Sequence, residues 1–215
     1  MLTIKENINT AEHTLIAGLN GVAEDYYRMR HYGNENYLQK PERVFNAELY
    51  HQLRKLQELE GVNFLIHQEI TKNNNSIIAV VSHEPQIHEE KPCLEDFNNK
   101  RVSPDLVFHR GQDNLDNQLL VAELKMEGAS RLSILKDLEK LLFYKLSSLK
   151  FQNTVFIYTG SKNELESKLE LGLSEKMLQC LIKHNIVIAL RELMVREQNW
   201  NIYEFNNNQL TIQTK

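Results

Sequence analysis

The fold class of this chain is decided by the stretch VSPDLVFHRGQDNLDNQLLVAELKM, residues 102–126. Two runs rich in branched and aromatic residues, 102–109 and 119–126, flank a loop of Gly, Asn and Asp residues. Such runs on either side of turn-forming residues predict two antiparallel strands joined as a hairpin. Because strands have a period of two, alternate residues of each run should point to opposite faces of a sheet.

Helices are predicted before and after this hairpin. Apolar residues recur every three or four positions from Thr10 to about Tyr32, from Arg43 to Glu60 and from Ser130 to about Leu149, and a shorter helix is expected at 174–184. Gly61 stands where the second helix should end. The buried stripe of the third helix is predicted to consist of Leu135, Leu138, Leu142, Leu146 and Leu149.

Further strands are predicted from short runs of β-forming residues. Residues 62–70 and 76–88 indicate a hairpin across a polar turn, and TVFIYT at 154–159 is typical of a strand buried on both faces of a sheet. A strand at 186–190 and a hairpin over 200–212 follow. We therefore expect an α/β fold in which a mixed sheet of about five or six strands is flanked by helices, with an N-terminal helix and a C-terminal β-hairpin.

Composition limits the classes of protein to which the chain can belong. Its 215 residues, 41% of them hydrophobic, suit a single domain, 1–215, with a sizeable core. The formal net charge of -4 means that a nucleic-acid contact would need a local basic patch. Two widely spaced cysteines, Cys93 and Cys180, predict reduced thiols rather than a zinc site. Since no secretion signal or membrane-spanning apolar run is visible, a soluble, cytoplasmic protein is expected.

Three charged residues of the central hairpin form the candidate site. Asp105 and Glu123 are equally distant from the centre of the loop, which places them opposite each other across the two strands. Lys125 lies on the same face as Glu123, one strand period further along. Neighbouring buried carboxylates repel each other, and a hard cation such as Mg²⁺, bound through oxygen atoms, relieves that repulsion. Asp105 and Glu123 are therefore predicted to bind a metal beside which Lys125 can act on a water molecule.

The same residues resemble a known family. Ser-Pro-Asp at 103–105, followed by Ala-Glu-Leu-Lys at 122–125, is similar to the PD-(D/E)xK signature of restriction-endonuclease-like nucleases. The resemblance covers a nuclease-like core at 43–159, with an N-terminal helical extension at 1–42 and a C-terminal helix and strands at 160–215. In addition, Lys140 and Tyr144 are similar to the Gln-x-x-x-Tyr element of the helicase-associated branch, with Lys in place of Gln.

The resemblance implies an enzyme, a hydrolase that cleaves a nucleic-acid backbone with Mg²⁺ or Mn²⁺ as its cofactor. The family's preceding helix often supplies another acidic residue, a position that Glu48 occupies here. The implied catalytic residues are Glu48, Asp105, Glu123 and Lys125, of which the three acidic residues are the metal ligands. The expected substrate contacts are Arg101, Arg131, Lys136, Lys140 and Tyr144.

Two alternatives stay open at this stage. DNA is favoured as the substrate, but the residues do not separate DNA from RNA. The same fold can also serve in a non-catalytic protein that assembles with a partner protein or as a homodimer. An accessible cleft at Asp105, Glu123 and Lys125 would favour the enzyme, whereas a buried or dispersed set would favour the assembly protein. No phosphate-binding glycine loop or nucleophile elbow occurs, which argues against nucleotide-binding folds and serine hydrolases.

Overall fold

The fold was analysed in a computed structural model of the chain. The residues that the structure describes are 4–26, 29–31, 34–39, 42–68, 103–110, 117–146, 150–192, 200–206 and 209–212. They form a mixed α/β fold in which helices cover both faces of a sheet. This confirms the predicted fold class at that level.

The N-terminal part contains two long helices with a small hairpin between them. Helix α1 (Ile4–Gly21) is followed by a 3-10 turn at Glu24–Tyr26 and by the antiparallel strands β1 (Met29–His31) and β2 (Asn34–Gln39). Helix α2 spans Glu42–Glu60. The prediction of one helix running to about Tyr32 is therefore wrong beyond Gly21, because the later part of that segment pairs as strands.

The remaining elements build the main sheet and its second helical layer. The strands are β3 (Leu65–Gln68), β4 (Leu106–His109), β5 (Gln118–Met126), β6 (Asn153–Thr159), β7 (Val187–Arg191), β8 (Asn201–Asn206) and β9 (Gln209–Ile212). The helices are α3 (Arg131–Leu146), α4 (Lys162–Glu170) and α5 (Glu175–Lys183). Helices α2, α3 and α5, the strands at β5, β6 and β7 and the C-terminal hairpin are confirmed.

Within the described residues the main sheet has seven strands in the sequential order β3 to β9, slightly more than the five or six expected. Strands β5, β6 and β7 are parallel, and the pairs on either side of them are antiparallel. Parallel neighbours need a crossover connection, which α3 supplies between β5 and β6 and the α4–α5 pair supplies between β6 and β7. The site hairpin β4–β5 is therefore held between β3 and a buried parallel strand.

Two hydrophobic cores lie on opposite faces of this sheet. Helices α1 and α2 pack on the face that carries Leu120, Ala122 and Leu124, whereas α3, α4 and α5 pack on the face that carries Val121 and Phe156. Strand β6 contributes side chains to both cores, as its continuous apolar run predicted. The face of β5 that carries Glu123 is thus covered by a helix, and Glu123 lies two residues after Val121, a core residue of the same face.

Other predictions differ in detail or lie outside the described residues. Helix α4 was not predicted, although Ser161 is its N-cap and accepts a hydrogen bond from the Glu164 N–H. The strand at 76–88, predicted to form a hairpin with β3, lies outside the described residues. Among the described residues, β3 pairs with β4. The buried side of α3 is broader than the predicted leucine stripe, because the helix packs on β5, β6, α4 and α5. Its buried residues are Ile134, Asp137, Leu138, Leu141, Leu142, Phe143 and Tyr144.

Cys180 is disulfide-bonded, so the prediction of a reduced thiol is wrong for this residue. Within the described ranges, no helix has the length and apolar character needed to cross a bilayer.

Candidate active site

The register of the central hairpin brings Asp105 and Glu123 to adjoining positions. Strands β4 and β5 pair Leu106 with Ala122 and Val107 with Val121. Asp105 therefore stands immediately before β4, and Glu123 immediately follows Ala122, the last residue of β5 that pairs with β4. The two carboxylates are close enough for the charge of Asp105 to help raise the pKa of Glu123. This is the side-by-side arrangement that the equal spacing about the loop predicted.

Asp105 also completes the hydrogen bonding of β5. Its Oδ2 accepts a hydrogen bond of 2.7 Å from the backbone N–H of Leu124, at the point where the ladder between β4 and β5 has ended. Burial raises the pKa of Asp105, against the opposing effects of this hydrogen bond and of the Lys125 charge. Asp105 therefore combines a structural contact through one oxygen with a place in the charged cluster.

Glu123 is the most deeply buried carboxylate of the cluster, with 1% of its side chain exposed. Its Oε2 lies 3.1 Å from the Lys140 ammonium, and Oε1 is buried without a well-formed hydrogen bond within the described residues. Burial, followed by the charges of Asp105 and Asp137, raises the pKa of Glu123 well above its ordinary value. The protein thus holds a carboxylate where negative charge is disfavoured unless a cation lies beside it.

Lys125 is fixed by three acceptors. Its ammonium lies 2.9 Å from Asp137 Oδ2 and 3.1 Å from Glu42 Oε1, and it donates a 2.9 Å hydrogen bond to the Leu124 carbonyl. An ammonium has three N–H donors, so this set saturates it. Burial alone would lower the pKa of Lys125, but the charges and hydrogen bonds of Asp137 and Glu42 outweigh it and raise that pKa above its ordinary value. Lys125 is consequently protonated at neutral pH.

Asp137 and Lys140, one helical turn apart on α3, complete the cluster. Lys140 lies 2.7 Å from Asp137 Oδ1 and also binds Glu123, so an unbroken chain of ion pairs runs from Glu42 through Lys125, Asp137 and Lys140 to Glu123. Burial lowers the pKa of Lys140, but the charges of Glu123 and Asp137 raise it by more. Both lysines are therefore cations that neutralise buried carboxylates.

Tyr144 lies one further turn along α3, facing the same carboxylates. Burial and the charges of Glu123, Asp105 and Asp137 raise the pKa of its phenol, so the hydroxyl stays protonated. The residue is 2% exposed, and its hydroxyl is buried without a well-formed hydrogen bond within the described residues. Tyr144 therefore belongs to the inner wall of the cluster, behind Glu123.

Among the described residues, the chain of ion pairs from Glu42 to Glu123 does not include Glu48, Arg131 or Lys136. Glu48 accepts a 2.5 Å hydrogen bond from Gln52, its neighbour one turn along α2. Arg131 donates to the Leu171 carbonyl at 3.3 Å, at the turn between α4 and α5, and Lys136 is exposed on α3. Arg101 lies outside the described residues.

Sequence reasoning did not select two of the acidic residues that contact Lys125. Glu42, at the start of α2, reaches Lys125, six residues before the predicted Glu48. Asp137 was given no role, although it stands three residues after Ile134 and one before Leu138, both core residues. A carboxylate set among such apolar positions is the signal that could have identified it, because a buried charge requires a partner.

The donor atoms present fit a hard divalent cation such as Mg²⁺. Within the described part of the chain, no three His, Cys, Asp or Glu side chains are arranged to hold a metal ion. However, Mg²⁺ usually keeps several waters and is bound through one or two carboxylates. Asp105 and Glu123 supply such a pair, and the buried Glu123 Oε1 has no well-formed hydrogen bond within the described residues, with the Tyr144 phenol as its polar neighbour. A buried polar atom without a partner is a recognised sign of a site for an ion or a water molecule.

No family model matches this chain, and neither a curated protein nor a solved structure is significantly similar to it.

Proposed function

We propose that this chain is a Mg²⁺-dependent nuclease with a restriction-endonuclease-like core, and that it cleaves phosphodiester bonds of nucleic acid, with DNA as the favoured substrate. The observation that carries the proposal is the convergence of Asp105 and Glu123, from adjacent strands, with a protonated Lys125 beside them. The residue types and spacing of the resemblance to the PD-(D/E)xK family point to the same chemistry.

In this proposal Asp105 and Glu123 bind Mg²⁺, or Mn²⁺ in its place. The bound ion would act as a Lewis acid at the scissile phosphate and offset its developing charge. Lys125 is assigned the role of a fixed cation, because its three acceptors hold it protonated. A fixed cation orients the attacking water and stabilises negative charge in the transition state, whereas a protonated ammonium cannot accept the proton of that water.

Recognition of the substrate is assigned to basic residues on the same side of the sheet. Arg131 and Lys136 are exposed on α3, the helix that also carries Lys140, and are proposed to contact phosphates. Arg101 is proposed as a further contact. Phosphate contacts of this kind position the backbone without reading its sequence, and they provide the local positive patch that a chain of net charge -4 requires.

One observation favours a second candidate, a non-catalytic protein that uses this fold to assemble with a partner. The cluster is nearly closed: 16% of the Lys125 side chain and 25% of the Lys140 side chain are exposed, against 5% for Asp137. In that case the ion pairs would hold α2 and α3 onto the sheet. The enzyme requires instead that substrate and metal enter past the two lysines, both of which are partly exposed.

The two candidates are separated by a cleavage assay. Supercoiled plasmid, linear duplex, single-stranded DNA and a structured RNA should be incubated with the protein in Mg²⁺, in Mn²⁺ and in EDTA. The same assays should be run on Asp105→Asn and, as a matched control, on Asp25→Asn, an identical chemical change at an exposed residue of the 3-10 turn.

The nuclease proposal predicts metal-dependent cleavage by the native protein and by Asp25→Asn but not by Asp105→Asn. Cleavage of closed circular plasmid would identify endonuclease activity, and cleavage of RNA alone would change the assigned substrate. Absence of cleavage on all four substrates with both metals, or cleavage that survives Asp105→Asn, would contradict the nuclease proposal.

A further inference from the structure

The carboxylate of Asp137 contacts both lysines of the cluster. Its Oδ1 lies 2.7 Å from Lys140 and its Oδ2 lies 2.9 Å from Lys125. Lys125 comes from β5 and Lys140 from α3, so these contacts link the β4–β5 hairpin to the helix that covers it. Asp137 therefore lies between the two ammonium groups and contacts both of them.

The position of Asp137 is costly for a residue with no role beyond packing. Only 5% of its side chain is exposed, and its neighbours on the inner side of α3 are the core residues Ile134, Leu138 and Leu141. Replacing a buried ion pair with apolar residues is often neutral or stabilising, so burial of a pair is not in itself a stabilising device. One lysine would already neutralise this carboxylate, yet two are bound, one on each oxygen.

The two lysines differ in how many other contacts hold them. Lys125 also has Glu42 and the Leu124 carbonyl, but 42% of the Glu42 side chain is exposed, and water weakens such a pair. Lys140 has Glu123 as its other acidic partner. For each lysine, Asp137 is the nearest carboxylate, so its loss would remove the shortest ion pair of each ammonium group.

We propose that Asp137 is a positioning residue that holds the ammonium groups of Lys125 and Lys140 at the active site. The part of this inference that concerns catalysis rests on the proposed nuclease function. Asp137 itself does not bind the metal or the substrate: its effect passes through the lysines. It resembles the outer-shell partners that orient ligand side chains in metal enzymes and whose loss reduces activity without removing a ligand.

The first test measures cleavage kinetics for Asp137→Asn, which keeps the shape of the side chain and removes its charge. We expect kcat to fall by roughly 10- to 100-fold, the range for loss of an orienting partner, with little change in KM. Glu42→Gln should have a smaller effect, because Glu42 is the more exposed partner of Lys125. Asp25→Asn serves again as the control. In a Lys125→Met background, Asp137→Asn should lower kcat by a smaller factor than it does in the native protein, because the two residues act as a unit.

The second test needs no cleavage and uses the full chain without metal. Lysine ammonium groups held in ion pairs exchange their protons slowly enough to give ¹H–¹⁵N correlations, and the signals can be assigned with Lys125→Arg and Lys140→Arg. The native protein should show both signals, and Asp137→Asn should lose or broaden both while Asp25→Asn keeps them. If the native protein cleaves nothing, the nuclease function fails, but this measurement still decides whether Asp137 fixes the lysines.

A second variant guards against loss of folding. Asp137→Leu places an apolar side chain among the apolar neighbours of α3 and should fold, yet it should show the same loss of kcat and of both lysine signals. The proposal is overturned if either variant folds and retains the native kcat or both signals. It is also overturned if neither variant folds, since Asp137 would then be structural.

Discussion

Two substitutions of Asp105 should separate its charge from its hydrogen bond. Asp105→Asn removes the negative charge but keeps a side-chain oxygen that can accept from the Leu124 N–H, whereas Asp105→Ala removes both. In the proposed site each variant would lack a metal ligand, so each should lose cleavage and any increase in melting temperature that Mg²⁺ gives the native protein. Their stabilities without metal should differ.

The size of that difference follows from the surroundings of Leu124. The residue is fully buried, and the ladder that β4 provides has ended two residues earlier, so Asp105 is the acceptor for this N–H. Leaving a buried donor without its partner costs about 1 to 3 kcal/mol. For a chain of this size each kcal/mol changes the melting temperature by about 2 to 4 °C. Asp105→Ala should therefore melt about 2 to 12 °C below Asp105→Asn.

Asp105→Asn itself should melt at or above the native temperature in EDTA. Burial raises the pKa of Asp105, and the Asp105 charge helps raise the pKa of Glu123, so the native carboxylate is held in an unfavourable place. Thermal melts of the three proteins with EDTA and with Mg²⁺, together with plasmid cleavage, measure both effects. Equal melting of the Ala and Asn variants would refute the role of the hydrogen bond, and native cleavage by Asp105→Asn would refute the metal site.

Three further predictions concern stability. Because the folded-state pKa values of Asp105 and Glu123 are raised, their contribution is fully present below the unfolded pKa near 4 and is lost as pH rises through the folded-state values, so stability in EDTA should fall as the pH rises above about 4. Glu123→Gln should flatten that slope in thermal melts, whereas an unchanged slope would assign it to other groups. Leu124→Ala, at a fully buried position on the opposite face of β5, should cost about 2 to 5 kcal/mol in urea unfolding; a cost below 1 kcal/mol would mean that this core collapses around the missing side chain. Gly18→Ala should be destabilising by up to about 2 kcal/mol, because the added methyl group overlaps Leu53 and this outweighs a gain in helix propensity of about 1 kcal/mol. A rise in melting temperature would instead show that α1 and α2 can move apart.

The central hairpin was predictable from sequence because its geometry is local. A strand period of two and an equal spacing about the loop are sufficient to bring Asp105 opposite Glu123 and to add Lys125. Strand β6 was equally clear, since a continuous apolar run indicates burial on both faces. The buried parallel position of β6 also explains why the Glu123 face is not an open polar surface: the crossover helix α3 must cover it.

The parts that sequence did not provide depend on how helices rotate and dock. The periodicity of α2 gives its apolar stripe, but the acid that reaches Lys125 is Glu42, at the end of the helix, and Glu48 contacts Gln52. A shift of six residues moves a side chain by roughly 9 Å along the helix axis. Asp137 was missed because charged residues usually indicate the solvent face of an amphipathic helix, whereas this aspartate lies on the buried side of α3.

The ion-pair network joins some residues that are near each other in the chain and others that are far apart. This difference affects the order in which the contacts form during folding. Lys140 and Glu123 are 17 residues apart, whereas Glu42 and Lys125 are 83 apart. Closing the short loop costs less chain entropy, so the β5–α3 contact can form early, and α2 must dock before the second contact exists. In native-state hydrogen exchange, we expect the first turn of α2 to open at a lower free energy than β5, leaving Glu123 and Lys140 paired while Glu42 has already released Lys125.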